Sequence, residues 1–400
     1  MKYIIILGDG MAGYPIKEFG NKTSLMAAET PNIDTLCKKS RCGKLITVPA
    51  DMPPGSEIAN MAVLGYDVKK VYQGRGVLEA ASMGVKIEDN DLAMRCNLIC
   101  IEDDKIRNHS AGHISNGEAH KLITTLRKEL ETDEVKIYPG VSYRHLLVLK
   151  NAENNIACTP PHDVPGTPFK DVLVKPTGTD ASTTDVVNSL ILRSQEILNQ
   201  HPINKKRISE GKDPANSIWP WSPGNKPDMD TLQNIYGVSG AVISAVDLLY
   251  GIGKYAGMKA IKVEGSTGLY DTNYEGKAKA AVNALKDVDL VYLHIEASDE
   301  AGHEGDHELK KKTIEYLDSR VVKYIMEETT KMDEDVTIAL LPDHPTPCEL
   351  RTHTHDPVPF LIYHPGTPGD NVSKYNEETT KNGHYGILKG AEFMQALLRE

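Results

Sequence analysis

A run of apolar, β-favouring residues, Leu290 to Ile295, stops abruptly, and the stretch after it gathers Glu296, Asp299, Glu300, His303, Glu304, Asp306 and His307. The run predicts a buried strand and the acidic stretch a loop, while Ile314, Leu317, Val321 and Ile325 recur at helical spacing and predict a helix beyond it. Acids and imidazoles therefore stand just past the carboxyl end of a strand, where open α/β sheets bind their ligands. Val336 to Leu341 repeats the pattern, ending in Pro342-Asp343-His344, with His353 and His355 soon after. Imidazole mixed with carboxylate at two strand ends is a donor set for a borderline divalent ion such as zinc or manganese. A solvated acidic loop is the competing reading of the first stretch, and the second strand end weighs against it.

A chain of 400 residues exceeds one average domain and points to two. A net charge of −11 argues against nucleic acid or an anionic membrane as partner, so an anionic substrate would have to be held locally by metals, arginine and lysine. The six cysteines form no CxxC pair, which fits free thiols in a reducing cytoplasm. The apolar run after Lys2 is too short for a signal peptide, and no stretch approaches the ~18 residues of a membrane span. A soluble cytoplasmic protein is expected. The sequence is silent on oligomeric state, and a homo-oligomer is compatible with it.

Tyr3 to Leu7 is another short strand, and it ends at Gly8-Asp9-Gly10. Thr30-Pro31-Asn32 reads as a helix start, with Thr30 or Asn32 as cap. In Pro53-Pro54-Gly55-Ser56, a helical pattern begins directly after the serine. Its hydroxyl would sit at a helix N-terminus, a place that favours phosphate or alkoxide, although an ordinary N-cap explains the local pattern equally well. From about Val71 the texture changes: strands at Leu92–Ile101, Val135–Tyr138 and Arg144–Lys150, and helices at Ser115–Glu131 and Asp185–Gln200. Residues 201–230 read as a connector, ordered around Trp219 and Trp221. Strand and helix then alternate to a last helix near Leu388. The fold expected is α/β: a mostly parallel sheet with helices on both faces, built from 1–70 and 230–400, and a second α/β domain, 71–229, inserted into it.

The strand-end set is Asp9, Ser56, Asp299, His303, Asp343, His344 and His353. It suits two metals, which together clamp a transferring phosphoryl group and activate a hydroxyl that is otherwise a weak nucleophile.

With Lys22-Thr23, Thr30-Pro-Asn-Ile-Asp34 and His353-x-x-x-Pro-Val-Pro359, these motifs resemble the alkaline phosphatase superfamily. Gly74-Arg-Gly-Val-Leu-Glu-Ala80, Trp219-Pro-Trp221 and Asp271-Thr-Asn-Tyr-Glu-Gly-Lys277 are similar, more narrowly, to the archaeal-type cofactor-independent phosphoglycerate mutases, over essentially the whole chain. The resemblance implies an alkaline-phosphatase-like catalytic domain with one metal on Asp9, Ser56, Asp343 and His344 and the other on Asp299, His303 and His353. It implies two divalent ions, manganese first among manganese, zinc, magnesium and cobalt, and no 2,3-bisphosphoglycerate. Ser56 would be the nucleophile that becomes phosphoserine. Lys277, which by pattern alone reads as a solvated helix charge, would stand near the nucleophile and phosphate. The inserted domain would exclude water and hold a small phosphorylated substrate, phosphoglycerate, through Arg75, Arg144, His162, Asp163 and His113. Asn108-His-Ser-Ala-Gly-His113 departs from the arginine-bearing run of relatives. That departure keeps a different acceptor such as homoserine in view, beside a phosphohydrolase or a phosphopentomutase.

Overall fold

Ile4, Ile5, Ile6 and Leu7 are all fully buried, so the strand Lys2–Gly8 is covered on both faces, as a central strand of a parallel sheet must be. The computed structural model describes residues 1–398 and places this strand fourth in an eight-stranded sheet. The order is Lys259–Ile261, Gly240–Ile243, Leu290–Ile295, Lys2–Gly8, Val336–Leu341, Val358–Tyr363, Arg41–Ile46 and Gly386–Lys389. Val358–Tyr363 runs against both its neighbours, and every other pairing in this sheet is parallel. The mostly parallel α/β sheet expected from the alternating pattern is therefore present.

Alternation along each strand assigns the helices to faces. Ile4, Ile6, Leu293, Ile338 and Leu340 share a core with Ala278 and Ala281 of helix Tyr274–Ala284, with Leu285 just past its end, and with Leu317, Val321 and Ile325. On the opposite face, Tyr292 donates its hydroxyl to Asn60 of helix Ser56–Val63, and Phe360 meets Phe393 of helix Glu392–Leu398 edge-on at 5.3 Å. Each fully buried Leu or Ile contributes about 1.5–3 kcal/mol, which makes this two-sided core the main stabilising term.

Four local expectations are corrected. The acidic stretch after Ile295 is a helix, Ala297–Glu304, not a loop. Ala297 and Ala301 give it a narrow buried side, and Gly305 closes it at φ 75°, so two helical turns whose apolar residues are only two alanines carry little apolar period. Leu388 lies in the edge strand Gly386–Lys389, and the last helix begins at Glu392. Ile387 in that strand is 63% exposed, so no alternation marks it. Residues 201–230 are not merely a connector: they hold helix Pro202–Ser209 and strand Ser217–Gly224. At Thr30 no side-chain cap forms, and Asp318 from a distant helix accepts from Ile33 N–H at 2.7 Å instead.

By contacts the chain forms two compact units, Met1–Tyr72 with Met229–Glu400, and Gln73–Asp228. The second has its own antiparallel sheet, Lys105–Asn108, Leu92–Glu102, Arg144–Leu149 and Val135–Tyr138, with Ser217–Gly224 also paired to the long strand. Leu122, Ile123 and Leu126 of one helix and Val187, Leu190 and Ile191 of another pack on it with Trp219. Among the described residues, no helix is long and apolar enough to cross a membrane.

His145 in this sheet is 2% exposed, and its Nδ1 accepts from Gly140 N–H at 3.0 Å. Burial pulls its pKa down to about 3. The fold therefore holds a neutral ring, and its contribution is complete above the unfolded value of ~6.5. Below that pH the unfolded chain binds a proton that the folded one refuses until about pH 3. Stability of this unit should fall by up to ~1.4 kcal/mol per pH unit between those limits. Denaturant titrations followed by fluorescence of Trp219 and Trp221 test this, since both tryptophans lie in this unit. An equal pH slope in His145→Gln would remove the residue from the account.

Candidate active site

Three parallel strands deliver the acids. Asp9 follows Lys2–Gly8, and its N–H bonds to Ile295 O at 2.9 Å. Asp343 and His344 follow Val336–Leu341, while Asp299 and His303 lie four apart on the helix after Leu290–Ile295, hence on one face. Gly10, at φ 61°, keeps the first loop close: a Cβ there would lie 2.5 Å from Asp299 Oδ1. Ser56 is the first residue of its helix, and its Oγ is 3.1 Å from His344 Nε2.

The seven strand-end residues converge. Asp299, His344 and His353 present donor atoms within 4.8 Å of one another, and Asp9, His294 and Asp343 form a second such group. His344 Nε2 is 3.6 Å from Asp9 Oδ1 and 3.4 Å from Asp343 Oδ2. His303 Nε2 is 3.2 Å from Asp299 Oδ2 and 2.9 Å from His353 Nε2. His355 is elsewhere, exposed, with Nε2 on Met52 O at 2.8 Å.

Hydrogen-bond partners decide which ring nitrogens are free. His303 Nδ1 lies 3.0 Å from Arg351 O and His353 Nδ1 lies 3.3 Å from Pro54 O. A carbonyl only accepts, so both Nδ1 atoms carry hydrogen, and whenever the rings are neutral their Nε2 lone pairs face each other and Asp299. Asp9 Oδ1 is buried without a hydrogen-bond partner, while Oδ2 accepts from His294 Nε2 at 2.9 Å. Acceptors converging on one another are a cradle for a cation, which competes with protons for the same lone pairs.

Electrostatics agree. Burial, with the Asp343 and Asp299 carboxylates nearby, pushes Asp9 well above the usual carboxylate range. The hydrogen bond to Asp299 raises His303 to about 9, so a proton occupies that Nε2 until another cation displaces it. Burial, Glu300 and Asp299 push Glu296 up to about 8. Lys277 is fully buried rather than a solvated helix charge: burial pulls it down to about 8 against the attraction of Glu296, and Nζ donates to His294 O at 3.3 Å.

In the second unit, two of the substrate candidates, His162 and His113, pack on Trp221 and Tyr143. Arg95, which the sequence reading passed over, stacks 4.4 Å above Trp221 and pairs with Glu79 at 3.1 Å. Burial pulls Arg95 below its usual pKa against the attraction of Glu79, and the nearby charges of Arg75 and Arg144 add to the fall. His162 packs against Trp221 at 5.2 Å and lies 3.5 Å from Asp163, and His113 packs against Tyr143 at 6.0 Å. Also missed were His294, Asn60 and Thr346, each touching a strand-end acid. His294 sits inside an apolar strand, and no local spacing marks any of the three.

The model of the 2,3-bisphosphoglycerate-independent phosphoglycerate mutase family matches residues 37–204. A protein of that name from Methanosarcina acetivorans is 52% identical over 403 residues, covering 100% of both chains. A probable one from Geobacter sulfurreducens is 46% identical, again over 100% of both. Among solved structures, the PH0037 protein of Pyrococcus horikoshii superposes with a TM-score of 0.86 at 30% identity, covering 99% of this chain and 96% of that one. The cofactor-independent phosphoglycerate mutase of Thermoplasma acidophilum gives 0.71 at 27% identity, over 100% and 99%. Full-length identity at this level is far beyond what a shared fold alone produces, and the chain belongs to the 2,3-bisphosphoglycerate-independent phosphoglycerate mutase family.

Proposed function

We propose that this protein interconverts 3-phosphoglycerate and 2-phosphoglycerate without 2,3-bisphosphoglycerate, through a phosphoserine on Ser56 beside two divalent ions. The observation that carries the reading is Ser56 Oγ, 3.1 Å from His344 Nε2 at the edge of the Asp/His cluster. Asp9, Ser56, Asp343 and His344 would hold one ion, and Asp299, His303 and His353 the other. The unpartnered Asp9 Oδ1 and the facing lone pairs of His303 and His353 fit such ions. His294 spends its Nε2–H on Asp9 and its Nδ1 on Ser244 at 3.1 Å, so it orients a ligand instead of being one. Manganese suits this donor set, with zinc, magnesium or cobalt as substitutes. When bound, the ions lower the pKa of the serine hydroxyl and neutralise phosphate charge.

Ser56 Oγ gives up its proton and attacks phosphorus, the bond from phosphorus to the C3 oxygen breaks, and that glycerate oxygen takes up a proton. The C2 hydroxyl then attacks the phosphoserine, gives up its proton, and Ser56 Oγ leaves and is reprotonated. Lys277 provides a buried cation for the phosphoryl oxygens. The Arg75, Arg95 and Arg144 group of the second unit offers a carboxylate a fork. A charged phosphorylated substrate, which does not cross a bilayer unaided, supports a cytoplasmic location.

Metal-loaded protein given 3-phosphoglycerate alone should form 2-phosphoglycerate, read as phosphoenolpyruvate through added enolase. Strict dependence on 2,3-bisphosphoglycerate, or release of inorganic phosphate in place of 2-phosphoglycerate, would overturn the reading. Transfer from ATP to homoserine with no mutase turnover would point to the other acceptor.

A further inference from the structure

Thr346 is fully buried where three ligand-bearing segments meet. Its N–H donates to Ala12 O at 3.1 Å, and its carbonyl accepts from Lys310 Nζ at 2.6 Å. The same buried Nζ donates to Ala12 O at 2.9 Å, so one lysine ties the segment after Asp9 to the segment after His344. Glycines leave it room: a Cβ on Gly10 would come within 2.6 Å of Thr346 Oγ1, and one on Gly302 within 2.6 Å of its carbonyl oxygen. The hydroxyl so placed touches a proposed ligand of each ion, Asp299 Oδ1 at 2.5 Å and His344 Nδ1 at 3.2 Å.

A hydroxyl has one proton. An ionised carboxylate only accepts, so that proton goes to Asp299, and toward His344 the oxygen can only accept. His344 must then carry its hydrogen on Nδ1, leaving Nε2 bare in the direction of Ser56 Oγ. His303 and His353 are held in the same tautomer by backbone carbonyls. His344 depends on a side chain that is itself committed to the other ligand set.

We infer that Thr346 is a positioning residue whose single hydroxyl fixes the tautomer of His344 and orients Asp299, linking the two metal centres. The inference deepens the two-metal reading and rests on it for its effect on metal binding. The tautomer itself can be read without any turnover.

The test is a side-chain ¹H–¹⁵N correlation spectrum of the full-length, histidine-labelled protein after chelation, at a pH where His344 is neutral, with a zinc titration alongside. His344 should show the Nδ1–H tautomer in the wild type. Thr346→Val, close in shape but without the hydroxyl, should shift His344 toward Nε2–H and weaken zinc binding about 10- to 100-fold. Thr346→Ser should restore both, which loss of packing alone would not allow. An Nε2–H tautomer in the wild type, or a Thr346→Ser variant as defective as Thr346→Val, overturns the inference, as does Thr346→Val with unchanged tautomer and affinity. Should Thr346→Val fail to fold, the wild-type spectrum and Thr346→Ser still decide. A protein inactive on 3-phosphoglycerate whose His344 is nonetheless Nδ1–H would end the functional reading and leave this link standing.

Discussion

Ser56→Ala is expected to lower mutase turnover by about 10³- to 10⁶-fold, the range seen when a covalent nucleophile is removed while binding groups remain. The helix should survive, because alanine is well tolerated at a first helical position and Asn60 Nδ2 still has the residue 56 carbonyl, 2.8 Å away, to hold. Metal content should stay near that of the wild type, since Asp9, Asp343 and His344 are untouched. Rapid acid quench after mixing with ³²P-labelled 3-phosphoglycerate should leave label on the wild-type chain at Ser56 and none on the variant. Near-normal turnover by the variant, or label on another residue, would remove Ser56 from the chemistry.

Chelation should have the second large effect, on activity and stability together. Asp9, Asp299 and Asp343 are at most 5% exposed and crowd one another, so each carboxylate raises the energy of ionising Asp9. A cation relieves that repulsion in the folded chain only, and at a thousandfold excess over its Kd it adds about 4 kcal/mol. For a unit of this size the loss amounts to a fall in Tm on the order of 8–16 °C, restored by added manganese. Calorimetry before and after dialysis against a chelator reads it. Unchanged Tm with full turnover in chelated protein would mean that the cluster holds no structural or catalytic ion.

The strand ends were legible in the sequence because their signal is local. Leu290–Ile295 and Val336–Leu341 are buried on both faces, so they read as unbroken apolar runs, and the acids stand out where the runs stop. The covalent order of Asp9, Ser56, Asp299, Asp343 and His344 along such strand ends was enough to suggest one site. The helix Ala297–Glu304 was not legible, since its helical character rests on two buried alanines and a closing glycine among acids. The sequence by itself determined the α/β architecture, the strand-end acids and the serine at a helix start, each written in a few consecutive residues. Only the tertiary structure decided which proton sits on which nitrogen and which carboxylate oxygen is left without a hydrogen bond. Arg351 O, Pro54 O, His294 and Thr346 make those choices through space, from 2 to 299 residues away in sequence, and a hydrogen bond leaves no periodicity in the chain that forms it.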